Sequence, residues 1–192
     1  PDSLDEAHLK EAWHVKLQPS YSGPIIVGPR VFTTETRDKK TEHVTAYDRA
    51  TGKSLWTTEW DGSLSVPFFA KANGDWIRAT PACDGMTLFV GGIRDVLAAI
   101  DVSNGNVRWR VDLAKEFEAP APTFGFVASP LILGDAVYVQ AGAGFVKLDK
   151  ATGKVIWRVL KDAGGMNGSA FASPMPATIH GRPQILVQGR EA

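Results

Sequence analysis

Apolar and polar residues alternate along this chain in short runs broken by Gly, Asp, Asn and Pro, the pattern of half-buried strands joined by tight turns. Residues 128 to 135, ASPLILGD, read as a strand entering a turn at Gly134-Asp135, and AVYVQAG, GFVKLD and VIWRVL read as the next three. That makes four short antiparallel strands. The same series can be read twice upstream, as ATPACDG, TLFVGG, DVLAAID and NVRWRVD, and before it as SGPIIVG, RVFTTET, HVTAYD and SLWTTEW. A fourth series begins at ASPMPATIHG and QILVQG, and AWHVKL around Trp13 resembles the last strand of a preceding unit. The expectation is three whole units, two strands of a fourth and one orphan strand.

One phrase recurs with little change at the end of each unit: AYDRATGKSLW, AIDVSNGNVRW and KLDKATGKVIW, closing on Trp56, Trp109 and Trp157 at intervals of 53 and 48 residues. A period of this size marks a stacked-repeat architecture. Asp48, Asp101 and Asp149 stand four residues before Gly52, Gly105 and Gly153. Each Asp can accept hydrogen bonds from its turn's own N–H groups, and each Gly can take the positive φ that a tight turn demands. By the period-two rule of a strand, each Trp faces opposite to its predecessor and is expected to fill the gap between neighbouring sheets. A Trp-lined ligand channel would need polar partners, and none recurs with the tryptophans.

Composition narrows the function classes. With 44% hydrophobic residues in 192 positions the chain can bury a core. Its 21 basic and 21 acidic residues leave no net field, which argues against nucleic-acid binding along a phosphate-tracking surface. The single cysteine, Cys83, rules out an internal disulfide and a multi-cysteine metal site, and reads as a small apolar residue on the first strand of its unit. No stretch approaches the length of a membrane span. The N-terminus has no signal-peptide core, so either the chain is not exported or a leader is already gone. Within residues 1 to 12, Ser3-Leu-Asp-Glu6 has capping-box spacing and LDEAHLKEA could form a short helix.

Catalytic motifs are missing. The four histidines, His8, His14, His43 and His180, lie in different units without ligand spacing. AGAGF at 141 to 145 is half of a dinucleotide fingerprint, but a strand follows it instead of a helix, so it reads as a hairpin. Asn167-Gly-Ser169 matches a glycosylation acceptor, and Glu116 and Glu118 read as loop charges. No catalytic residue and no metal ligand is assigned. The inter-unit loops stand out instead: residues 63 to 81, 115 to 130 and 161 to 174 hold Phe68, Phe69, Trp76, Phe117, Phe124, Phe126, Met166 and Phe171. Asp75, Arg78 and Asn167 lie among them. Each loop leads into the equivalent strand of its unit, so all three should emerge on one face. Two readings are open: the rings cap the core, or they line a pocket for a ligand or peptide. The binding candidates are Trp76, Arg78, Asp75, Phe124, Phe126, Asn167 and Phe171.

The phrase D-x-x-(T/N)-G-x-x-x-W, preceded by Ser/Thr-Pro at Thr80-Pro81, Ser129-Pro130 and Ser173-Pro174, resembles the repeat of pyrroloquinoline quinone (PQQ)-type β-propellers. The resemblance covers residues 13 to 192. It implies an all-β partial β-propeller of four-stranded antiparallel blades, about three complete, with incomplete strands at both ends. Two functional classes share such repeats. Quinoprotein dehydrogenases hold PQQ and Ca²⁺ on the axis and oxidise alcohols or sugars, whereas the propeller lipoprotein of the bacterial β-barrel assembly machinery binds no quinone and acts as a scaffold. Cys83 has no adjacent cysteine of the kind that many quinoprotein alcohol dehydrogenases place beneath the quinone, and no acid here matches a catalytic base or calcium ligand. The expectation is therefore a non-catalytic scaffold with no cofactor, periplasmic or secreted, binding a protein partner or small ligand through its loop face. The alternative is a fragment of a PQQ-dependent dehydrogenase.

Family propellers have seven or eight blades, so at about 48 residues per unit a full ring needs nearly twice this chain. Open edges are then expected at the Trp13 strand and at QILVQG. A fragment, a loss of blades or a head-to-tail pair would each account for this, and self-association through the edges is the corresponding expectation.

Overall fold

The computed structural model describes residues 9–166 and 171–189. Its strands form three four-stranded antiparallel sheets and one two-stranded hairpin. The first sheet is β1 (Ile25–Val27), β2 (Arg30–Arg37), β3 (Thr41–Asp48) and β4 (Ser54–Asp61). The second is β5 (Ala82–Cys83), β6 (Thr87–Gly92), β7 (Val96–Asp101) and β8 (Val107–Asp112). The third is β9 (Leu131–Leu133), β10 (Ala136–Gln140), β11 (Phe145–Asp149) and β12 (Val155–Val159). β13 (Met175–Ile179) and β14 (Arg182–Leu186) make the hairpin. Within each sheet the strands follow chain order, so every unit is a simple meander.

The sheets pack face to face as blades. Phe32, Val44, Ala46, Leu88, Val90, Ala98 and Ile100 fill the space between the first and second blades, with Trp56 against them. Phe89, Leu97, Ala99, Val137, Val139, Val146 and Leu148 do the same between the second and third, with Trp109. Consecutive residues of β6 and β7 therefore point into different cores, as strand geometry requires. Tyr138, Phe145 and Trp157 meet Ile185 and Val187 at the final hairpin.

The recurring phrase forms a joint. Asp48 Oδ1 accepts from the N–H of Thr51 at 2.9 Å and from its hydroxyl at 2.8 Å, and Asp149 does the same with Thr152 at 2.8 and 2.7 Å. In the second copy Ser103 supplies both donors to Asp101. These bonds fix the hairpin between the third and fourth strands, and Gly52, Gly105 and Gly153 close it at φ of 71°, 80° and 74°. The glycine of each hairpin then lies flat on the indole that precedes it in the array. A Cβ on Gly105 would sit 2.8 Å from Trp56, and one on Gly153 would sit 2.6 Å from Trp109. Trp56 Nε1 donates to Val102 O at 3.0 Å and Trp109 Nε1 to Lys150 O at 3.0 Å, in both cases the carbonyl just after the hairpin Asp.

The structure departs from the sequence pattern in three places. The pairing skips Leu55, Arg108 and Ile156, the residue before each Trp, so a β-bulge breaks the period-two alternation there and re-aims the indole. The expected orphan strand at Trp13 is absent, because a strand needs a hydrogen-bonding neighbour and no described residue pairs with it. Trp13 nevertheless makes the same joint, donating to Arg49 O at 2.8 Å and lying against Gly52. After β8 comes a single helical turn, α1 (Leu113–Glu116), where a loop was read; Asp112 caps it by accepting from Lys115 N at 3.0 Å. Residues 1–8 of the expected N-terminal helix lie outside the described residues, and Leu9–Ala12 carry no helical turn.

The segment after Trp13 runs along the first blade. Thr36 N donates to Pro19 O at 2.9 Å, Gln18 N to Glu35 Oε2 at 2.5 Å and Tyr21 N to Ile77 O at 2.9 Å. Thr33, Thr34, Glu35 and Thr36 are all buried along this stretch of β2.

Candidate functional site

In a four-stranded meander the second-to-third turn and the exit from the fourth strand share one end, opposite the Asp-Gly hairpins. The three long connections emerge there, as expected. The first folds into a 3₁₀ turn at Phe68–Asn73, which leaves Phe68 82% and Phe69 57% exposed. Phe69 meets Phe124 of the second connection at 6.4 Å between ring centroids, and Phe124 meets Phe171 of the third at 5.9 Å. Phe68 stands edge-on to Phe69 at 5.6 Å, and Phe171 is itself 55% exposed. A row of four rings, with Phe68, Phe69 and Phe171 exposed and Phe124 half-buried, thus links the three connections.

The other candidates divide among different surroundings. Trp76 packs at 5.4 Å against Tyr21, a residue the sequence reading did not select, and Gly74 lies against its indole. Arg78 sits over the Tyr21 ring at 5.1 Å and donates through Nη2 to Gly74 O at 2.7 Å. Burial draws its guanidinium below the usual range. Asp75 is half-buried beside this cluster. Trp76 and Arg78 therefore brace the loop, with the Arg78 Nε buried and unpartnered. Phe126 is 1% exposed and fills the core against Gly91. Asn167 lies outside the described residues. The fourth aromatic setting is Phe117, covered by the Arg158 guanidinium at 4.6 Å.

Beside the aromatic row a small cavity, open to solvent, lies between the second and third blades and the final hairpin. Asp95, Phe126, Gln140, Phe145 and Asp162 contribute to its wall. Gln140 Nε2 donates to Ala172 O at 2.9 Å, which ties the third connection to β10.

Two buried carboxylates at this end escaped the sequence reading. Glu42, 1% exposed, accepts from Ile93 N at 2.7 Å and from Trp60 Nε1 at 2.5 Å. Asp95, 3% exposed, accepts from Gly142 N at 2.7 Å. Burial pushes both up to about 7. The available signal was positional: they stand six residues before Asp48 and Asp101, where the third copy has Ala143.

Among the described residues no three His, Cys, Asp or Glu side chains converge to hold a metal ion. Cys83 is half-buried on β5 with its thiol pushed up by burial, and it is the sole cysteine. No described helix is long and apolar enough to cross a membrane.

Repeated four-stranded blades joined through a Trp and the next blade's Gly define a partial β-propeller of PQQ-type repeats. The chain belongs to the family described as outer membrane protein assembly factor BamB, whose model matches residues 3–72 and 40–191. It is similar to BamB of Shewanella oneidensis, with 26% identity over 113 residues, 58% of this chain and 26% of that protein. It is also similar to the serine/threonine-protein kinase AfsK of Streptomyces griseus, with 34% identity over 95 residues, 49% of this chain and 11% of that protein. The chain thus matches 26% of the length of one of these curated relatives and 11% of the other. Among solved structures it resembles the quinohemoprotein alcohol dehydrogenase of Comamonas testosteroni, at a TM-score of 0.54 and 21% identity over 74% of this chain and 21% of that one. That likeness is one of fold.

Proposed function

We propose that this chain is a non-catalytic scaffold whose loop end binds a protein partner, a component of the bacterial β-barrel assembly machinery at the periplasmic side of the outer membrane. The row Phe68, Phe69, Phe124 and Phe171 carries this reading. Contiguous exposed apolar surface rimmed by polar groups is characteristic of protein contact sites, and aromatic anchors supply most of the binding energy there. Lys71 and Asp75 share the first connection with Phe68 and Phe69, and Lys115, Glu116, Glu118, Lys161 and Asp162 lie in the other two, so the connections carry charges of both signs. The family's description as an assembly factor supports the choice of partner.

The test places a photo-crosslinking residue at Phe69 and, as a control, at Ala50 in a hairpin of the opposite end, and mixes each with purified β-barrel assembly machinery. An adduct from position 69 alone supports the reading, and one from position 50 alone, or from neither, contradicts it. Incubation with PQQ and Ca²⁺ tests the dehydrogenase alternative directly. Dye-linked oxidation of an alcohol or sugar under those conditions would replace the scaffold reading with an enzymatic one.

A further inference from the structure

We propose that Glu42 and Asp95 are proton-sensitive clasps between neighbouring blades at the loop end, closed while their carboxyls are neutral and released when they ionise. Each stands at the same place in its repeat and reaches the same target. Glu42 starts from β3 of the first blade and takes the N–H of Ile93 in the β6–β7 turn of the second. Asp95 starts from that turn and takes the N–H of Gly142 in the β10–β11 turn of the third. The Glu42 socket is shaped for its carboxyl. A Cβ on Gly92 would stand 2.5 Å from Glu42 Oε2, and one on Gly62 would run into the Glu42 side chain.

Among the described residues no cation forms an ion pair with either group. Glu42 faces Asp61, which opposes its ionisation, and Arg94, which favours it, and these two lie 4.0 Å from each other. Asp95 faces Asp112 and Asp162, both of which oppose its charge, and the Asp112 carboxylate has its own partner in Lys115 at 3.4 Å. The ionised forms therefore rest on two N–H donors at Glu42 and one at Asp95. A buried charge held so sparsely is costly, and a carboxylate lowers that cost by reaching water. It does so by leaving its socket, which parts the two turns at the loop end. The hairpin end stays joined, because the Trp56 and Trp109 indoles donate to carbonyls and do not titrate. Asp95 also walls the loop-end cavity, so its release opens that cavity further.

The direction with pH follows from the shift. A carboxyl raised to about 7 in the folded chain binds more protons there than in the unfolded chain. Its stabilisation is full below the ordinary carboxylate range and is lost as pH rises through about 7.

The chain reports on its own clasp, since Trp60 Nε1 donates directly to Glu42. In ¹⁵N-labelled protein the Trp60 indole N–H resonance is expected to move between pH 5 and 9 with a midpoint near 7, while those of Trp56 and Trp109 stay fixed. Glu42→Gln abolishes the Trp60 movement, which separates it from any titration of His43 nearby. A Trp60 signal that is flat over this range, or one that titrates unchanged in the Glu42→Gln variant, overturns the proposal. For Asp95, the thermal midpoint of Asp95→Asn should gain on that of wild type as pH rises from 5 to 8, and an offset constant with pH contradicts the clasp there. If Glu42→Gln fails to fold, His43→Gln takes its place: a Trp60 movement that persists with its midpoint near 7 upholds the clasp, and its loss overturns it.

Discussion

The hairpin end and the loop end of these blades are built on opposite principles. At the hairpin end three copies of one phrase make the same turn, and each turn receives an indole from the unit before it, Trp13, Trp56 or Trp109. At the loop end the connections share neither sequence nor conformation: one forms a 3₁₀ turn, the next a single helical turn, and Phe68, Phe69 and Phe171 lie exposed. Repetition marks the contacts that every blade boundary needs. Chemistry specific to this protein is found where repetition stops.

The comparison breaks most visibly if the repeated joint is removed. Trp109→Ala deletes the ring between the second and third blades and its bond to Lys150, and should destabilise the chain by about 3 kcal/mol in urea unfolding. Phe69→Ala at the loop end should change stability by less than about 0.5 kcal/mol in the same assay. Equal effects would abolish the distinction between the ends.

A finer contrast lies among the glycines. Gly105→Ala places a side chain at φ 80° and against the Trp56 ring, for an expected loss of about 2 kcal/mol. Gly28 has φ 56° but nothing within 4 Å of an added Cβ, so Gly28→Ala should lose only the backbone part, about 1 kcal/mol. The difference between the two measures the indole contact.

The smallest expected effect concerns the array's ends. Trp157 is half-buried against Tyr138 and Phe145, and among the described residues β14 pairs with β13 alone. We propose weak self-association through this region, read as a concentration-dependent mass in light scattering. A monodisperse monomer at high concentration would contradict it. Trp13 already fills the first hairpin, so such a contact has to use β14 or displace Trp13.

Much of the scaffold was legible because its rules are local. The strands follow from alternation, and the turns from an Asp and a Gly four residues apart. That the tryptophans fill the space between sheets follows from their recurrence, but their partner, the next hairpin's Gly and carbonyl, does not, since it lies in the next unit. The bulges at Leu55, Arg108 and Ile156 were hidden for the same reason: pairing register belongs to two strands at once. Burial of polar residues was hidden too. Thr33 to Thr36 lie on a strand that alternation predicts, but their burial depends on segments packed over them, and Glu42 lies outside the predicted strands and is buried by contact with the second blade. At the site, the shared loop face was legible from topology. The division of its residues was not, because Phe126 turns into the core and Phe124 turns out within the same short segment.

The central claim, that the repeated end holds the fold and the unrepeated end makes contact, meets its most direct test in one variant. Phe69→Ala, Phe124→Ala and Phe171→Ala combined should weaken binding to the purified β-barrel assembly machinery at least tenfold, about 1.4 kcal/mol, with the unfolding midpoint of the chain unchanged. Undiminished affinity in that variant, or an affinity lost only together with the fold, would contradict the claim.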